Sequence, residues 1–398
     1  MAKDKNKEKI APNCRLGTVG GEAVLEGVMM KGKEGIMGVA VRKEDGSVVV
    51  TKEKTTSIRK KYKILNIPIV RGVVGMIESF LLSYKVLNIS AEAYGLDESE
   101  EPSKFENWLN KTFGKNLMDF IMGIALVFGV ALAMGLFFFL PIIITKAIEV
   151  ISVNGGNIFG VWGDFFNKSK SFGECWTLFT STWSETAGLL DAGKIAGLGT
   201  WKSVIEGFLK IFIFVVYLAL VSLMKDIRRT FQYHGAEHKS IFCYESGEEL
   251  TVENVKKFKR FHPRCGTSFL FVILLISIAV FSLPFIPWDN PWLRFAIKLP
   301  MMPLIIGLGF EFIMFAGKHD NIVTRILSAP GLFMQRITTR EPDDDMIEVA
   351  IVATKSALHE EFAEFEIPYE SEYLKKKEEA KKTEEEANAG EGIQNETP

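Results

Sequence analysis

His234-Gly235-Ala236-Glu237-His238 places two imidazoles and a carboxylate within one short stretch. On an α-helix, positions three and four apart lie on the same side, so His234, Glu237 and His238 share one face. Two neutral imidazoles so placed can grip one zinc-like ion. The order H-x-x-E-H is that of metallopeptidases in which two histidines bind zinc and the glutamate acts as general base, which makes Glu237 the candidate catalytic residue.

A second group follows. His262-Pro263-Arg264-Cys265 adds an imidazole and a thiol three positions apart. If the apolar segments flanking the two motifs pack antiparallel, both motifs meet at one end of them. The candidate metal ligands are therefore His234, His238, His262 and Cys265. Nitrogen and sulfur donors favour zinc, or another divalent transition metal, over magnesium and calcium. All four donors together would close the shell of a structural site. A catalytic site would use His234, His238 and one of His262 or Cys265, and the sequence leaves that third ligand open.

Three carboxylates are further oxygen donors. Glu311 lies inside an apolar run, where an ionisable side chain is a functional-site hypothesis by default. Glu22 and Glu26 lie in Gly20-Gly21-Glu22-Ala23-Val24-Leu25-Glu26-Gly27-Val28-Met29-Met30. That run lacks the context of a nucleotide-binding loop and reads most simply as a turn. The other donors have ordinary readings too. His234 and His238 can decorate an exposed helix, Cys265 can be a small core residue, His262 can precede a proline turn, and Glu311 can pair with Lys318.

The elements that must position these groups are membrane spans. Of 398 residues, 47% are hydrophobic, and they concentrate in a few long runs. Leu117 to Thr145, Val204 to Met224, Phe269 to Ile286 and Phe295 to Ala316 each approach or exceed the roughly 20 residues that cross a hydrocarbon core. Lys210 falls near an expected end of the second, where it can snorkel. The fourth carries Pro300 and Pro303. The connection between the second and third spans is rich in Lys and Arg, among them Lys225, Arg228, Arg229, Lys256, Lys257 and Arg260. Positive residues stay cytosolic, so this connection and both termini are expected in the cytosol. The same bias accounts for the basic loop without nucleic acid. No apolar leader precedes the first span. Four scattered cysteines do not suggest a disulfide framework.

Residues 1–116 read as a cytosolic region. Gly38 to Arg42 and Val48 to Lys52 flank Glu44-Asp45-Gly46-Ser47, a hairpin signal. Beyond Pro68, apolar residues at helical spacing from Val70 to Leu81 suit an amphipathic helix against other helices or the bilayer surface. Phe80, Leu81 and Leu82 keep a re-entrant or fifth membrane segment open, while Arg71, Glu78 and Lys85 argue against a full crossing. Residues 117–316 form the four-span domain. Its outer part, from about Lys146 to Gly199, reads as a Gly-, Ser- and Trp-rich loop segment. Thr251 is expected to cap a short helix of about 15 Å. Residues 317–372 form a cytosolic helical segment, with Asp345 the expected cap of a helix ending near Glu366. The charged tail 373–398 has the composition of a disordered segment. The fold class is thus mainly α: a polytopic helical membrane protein with a small N-terminal β-hairpin and cytosolic helices.

Three motifs in one order, GGEAVLEGVMMKG, YHGAEHKSIFCYE with RFHPRCGTSFLF, and SAPGLFMQRITTREPDDDMIEVAI, resemble the YqhQ-like family of bacterial multi-pass membrane proteins. The resemblance covers most of residues 16 to 355. It implies a bacterial cytoplasmic membrane and a predicted metal-dependent enzyme without naming a reaction. The motif residues it carries here are Glu22, Glu26, His234, Glu237, His238, His262 and Cys265. Hydrolysis is the expected chemistry. The alternative is a non-enzymatic scaffold whose zinc pins two spans together for a membrane-protein partner, and an ion transporter is a third reading with no duplicated half to support it.

Overall fold

The computed structural model describes residues 15–95, 128–129, 131–133, 135–154, 171–191, 201–283, 291–316, 322–365, 369 and 371. The expected disordered tail lies outside these residues.

Four strands, β1 (Val19–Val24), β2 (Gly27–Gly32), β3 (Ile36–Arg42) and β4 (Val48–Lys54), form an antiparallel meander in sequence order. The expected hairpin is its β3–β4 half, closed by Gly46 at φ 88°. The glycine-rich run forms the other half. Val24 pairs with Gly27, so Leu25 and Glu26 make a two-residue turn, with Glu26 at φ 47°. A Cβ on Gly27 would lie 2.3 Å from the Ala40 carbonyl oxygen, so strands β2 and β3 could not pair as they do. Alternation along the strands buries both faces. Val28, Met30 and Ala40 face one core, whereas Met29, Val39 and Val41 face another.

Helices follow. A short turn, α1 (Ile58–Lys61), leads into α2 (Val70–Tyr94). Beyond it come α3 (Leu140–Asn154), entered through a π-helical turn at Gly135–Phe139, and α4 (Phe172–Asp191). The chain continues through α5 (Trp201–Val221), α6 (Lys225–Glu245), α7 (Val252–Lys256) and α8 (Gly266–Phe281). It ends in α9 (Pro291–Ala316), α10 (Ile322–Thr338) and α11 (Asp344–Ala357).

Among the described residues, four helices are long and apolar enough to cross a membrane: Val70–Tyr94, Ala131–Val153, Trp201–Val221 and Ala296–Phe315. The number matches the sequence reading, but the membership differs. Helix α8, an expected span, has only 16 residues, or about 24 Å at 1.5 Å per residue, whereas α2 qualifies by length and composition alone. The C-terminal half of α2 nevertheless packs Leu82, Val86 and Ile89 on the sheet, as an amphipathic helix would. Its N-terminal half joins α8 and α9 around Ile273, Phe281 and Ile305. Lys210 does not snorkel. It pairs with buried Glu206 at 3.3 Å, which also receives Lys298 at 2.7 Å.

Several boundaries also depart from expectation. The outer segment holds the 20-residue helix α4, whose Phe179 and Trp183 pack on Val150. Thr251 does cap α7, accepting from the Asn254 amide, but α7 has only 5 residues. Asp343, rather than Asp345, precedes α11, which stops at Ala357. The far face of the sheet is covered by α6 and α11, whose Tyr233, Ala236, Tyr244, Ile347 and Ala350 are buried together. The extramembrane layer is therefore drawn from the start, middle and end of the chain.

Candidate metal centre

The H-x-x-E-H motif does not extend a span. The chain breaks at Ser222–Met224, and the motif sits in the middle of a separate helix, α6. Its two small residues explain the position. A Cβ on Gly235 would fall 2.0 Å from the Arg340 carbonyl oxygen, so only glycine lets α6 lie against that strand-like segment. Ala236 is fully buried in the core beneath the sheet.

His234, His238 and Cys265 converge. One ligand atom from each lies within 4.8 Å of the others. His234 Nε2 is 3.2 Å from Cys265 Sγ, and the two imidazole centroids are 4.4 Å apart. Each imidazole is oriented from behind. His234 Nδ1 donates to the Thr338 carbonyl at 2.8 Å, and His238 Nδ1 to the Arg260 carbonyl. Such a bond fixes the tautomer and leaves Nε2 to face a metal. Cys265 precedes the first turn of α8 and contacts Thr267 Oγ1 at 3.2 Å. Burial alone would raise its thiol, but hydrogen bonding and charge from His238 bring it below the ordinary value. Burial lowers the pKa of His238 itself, which favours the neutral imidazole that a metal requires. Two nitrogens and one sulfur at this spacing, with the imidazoles already locked, fit a zinc-like ion.

Glu237 lies beside this group, with Oε2 3.9 Å from His234 Nε2. Burial pushes its carboxyl up to about 8. The Gly21 amide donates to it, and a Cβ on Gly21 would stand 2.9 Å from Glu237 Cγ. The glycine-rich run thus serves the site by close backbone approach, which its glycines signalled. Glu22, next along, accepts from Ser83 Oγ of α2 at 2.6 Å, and burial raises its carboxyl as well.

The remaining candidates point elsewhere. His262 lies near His238, at 5.5 Å between centroids, yet its Nε2 faces Glu245 at 3.8 Å. Glu245 would be raised by burial, but bonds from Gly17 and Arg264, with the His262 imidazole nearby, hold it below the usual carboxylate range. Glu26 is held by Arg229 through two bonds and by Tyr233. Glu311 forms a two-pronged pair with Arg71, while Lys318, its expected partner, lies outside the described residues.

Sequence reasoning missed the supports. Gln335, fully buried on α10, accepts from the His262 amide at 2.7 Å and donates to the His262 carbonyl at 2.7 Å and Ser268 Oγ at 3.1 Å. With the Thr338 carbonyl, it makes the end of α10 a brace for both motifs. A glutamine in an otherwise apolar helix face, at GLFMQRITT, was the available signal.

Residues 67–360 match the family described as protein of unknown function (DUF1385). The chain is 32% identical over 347 residues to the uncharacterized protein YqhQ of Bacillus subtilis (strain 168), covering 87% of this chain and 92% of that relative. No solved structure matches. A family match over most of the chain, joined to a full-length relative, places this protein in the DUF1385, YqhQ-like family.

Proposed function

We propose that the protein is a metal-dependent hydrolase of the bacterial cytoplasmic membrane, with its centre on the cytosolic side. The observation that carries this reading is the convergence of His234, His238 and Cys265, both imidazoles anchored through Nδ1, beside the buried carboxylate of Glu237. Three protein donors leave a coordination position open, as catalytic zinc sites do. His262 is outside the converging group, its Nε2 3.8 Å from Glu245.

A zinc-like ion in this site would supply Lewis acidity toward a carbonyl or phosphoryl oxygen. His234, His238 and Cys265 would hold it. Glu237 would take a proton from the attacking water and return it to the leaving group, a role that its position beside His234 allows. The buried surroundings of Glu237 and His238 exclude bulk water from the reacting groups. Cytosolic placement is supported by the lysines and arginines of α6 and α7, which lie in the connection between α5 and α8.

The second reading makes Glu237 a fourth ligand and the ion a structural clamp between α6 and α8. Its support is the same 3.9 Å approach of Glu237 to His234. Glu237→Gln separates the two in the full-length protein, with ester and amide substrates and metal content measured together. The hydrolase reading expects turnover to fall by about 100-fold or more with metal retained. Loss of metal with no turnover in either protein supports the clamp.

A further inference from the structure

We propose that the segment from Ser57 to Ile67, together with the outward face of α2, is a docking surface for anionic lipid headgroups. The inference concerns membrane recognition and does not require the metal centre. The segment reads Ser-Ile-Arg-Lys-Lys-Tyr-Lys-Ile-Leu-Asn-Ile and holds four basic residues with no acidic one. Its shape is set by a single carboxylate. Glu78 of α2 accepts from Ser57 Oγ at 2.8 Å, from the Ile58 amide at 2.6 Å and from Arg59 Nε at 3.0 Å.

That arrangement engages Arg59 and leaves Lys60, Lys61 and Lys63 outward. All three are exposed, and among the described residues none has an ion-pair partner. Apolar side chains alternate with them. Ile64 is 73% exposed, and Ile58, Tyr62 and Ile67 are each about half exposed. Lysines interleaved with isoleucine and tyrosine are poorly suited to bulk water, but they match an interface where ammonium groups meet phosphates and apolar groups enter the acyl boundary.

Placement specifies the partner. Directly after this segment, Ile69 and Gly72 pack on Gly307 and Phe310 of α9, and Arg71 pairs with Glu311. Helix α9 carries a candidate span ending at Phe315, so the basic segment is fixed toward one end of a membrane helix. The same side continues along α2, where Ile77, Phe80, Leu81 and Tyr84 are each more than half exposed, at the spacing of one helix face. The opposite face of α2 is covered by the sheet. A bilayer surface covers the lysines and this stripe together, and an anionic leaflet complements their charge.

The test uses full-length protein in nanodiscs containing equal amounts of phosphatidylglycerol and phosphatidylcholine, with spin-labelled lipids of each headgroup reporting the immobilised fraction. Wild type is expected to immobilise phosphatidylglycerol about fivefold over phosphatidylcholine. The triple variant Lys60→Gln, Lys61→Gln, Lys63→Gln is expected to bring that ratio near unity, as should raising salt to about 0.5 M with wild type. Lys256→Gln with Lys257→Gln, at the end of α7 across the sheet, should leave the ratio unchanged. Equal immobilisation in wild type, or a preference that survives the triple variant, overturns the proposal. So does protection of Lys60, Lys61 and Lys63 from amine labelling in lipid-free detergent, which would mean that a second copy or another protein covers them.

Discussion

His234 Nε2 and Cys265 Sγ, 31 positions apart in the chain, lie 3.2 Å from each other, with His234 Nδ1 secured by the Thr338 carbonyl. An imidazole and a thiol in that relation act as a pair of donors toward one ion. His262 stands close by without joining them. Purified protein is therefore expected to hold about one zinc-like ion per chain, and His234→Ala or Cys265→Ser to lower retained metal by at least about tenfold. His262→Ala should keep it. Elemental analysis of the three variants checks this, and metal lost from His262→Ala but retained by Cys265→Ser would reverse the ligand assignment.

Gly235 is tested separately. Its Cβ position is 2.0 Å from a backbone oxygen, which cannot swing away as a side-chain end can. Gly235→Ala should therefore cost about 1–3 kcal/mol despite the better helix propensity of alanine. Thermal unfolding in detergent would read this as a clear drop in Tm, and an unchanged Tm would show that α6 does not need its contact with Arg340.

Gln335 supports the loop that carries His262 and Cys265. Gln335→Leu keeps the volume but strands the amide and carbonyl of His262. Leaving buried backbone groups unpaired should cost about 2–4 kcal/mol. The same variant should bind metal more weakly, measured by competition with a chelator, because Cys265 loses its support. Wild-type affinity together with wild-type stability would remove Gln335 from the site.

Cys243 offers a pH-dependent check away from the candidate metal centre. It is fully buried in the core shared by α6 and the sheet, and burial pushes its thiol up to about 12 from 9.0. A thiol whose folded pKa is raised favours the folded state below the unfolded pKa, and that contribution is lost as pH climbs from about 9 toward 12. Wild type should lose Tm over pH 8 to 10 more steeply than Cys243→Ala. Parallel slopes for the two proteins would contradict the assignment.

How much of this was legible in the sequence depends on the range of the interaction. Alternation around Glu44-Asp45-Gly46-Ser47 marked β3 and β4 because strand periodicity is local. The meeting of His234 and His238 with Cys265 was also readable, since two motifs flanking apolar segments had few ways to pack. The direction of an imidazole was not. His262 joined the expected ligands by proximity, whereas its Nδ1 accepts from the Arg264 amide and its Nε2 lies toward Glu245, whose own position depends on Gly17 and Arg264. Pairs such as Arg71 with Glu311 and Arg229 with Glu26 span more than 200 residues and leave no local trace. Helix α10 lies within the expected helical segment 317–372, but its bounds went unread because Pro330 interrupts the pattern, although its last turn braces the centre.

The layer that holds the site is interleaved along the chain: sheet first, α6 in the middle, α11 near the end. During synthesis, the strands and α6 leave the ribosome before α10 and α11 exist. The Thr338 carbonyl that orients His234 arrives about 100 residues after the histidine it serves, as does the apolar face of α11 that closes the core. Helix insertion can therefore proceed while the centre is still incomplete. A nascent chain stopped before α10 would carry both histidines and Cys265 yet lack their full support, so the donor geometry becomes a late event that reports completion of the whole chain.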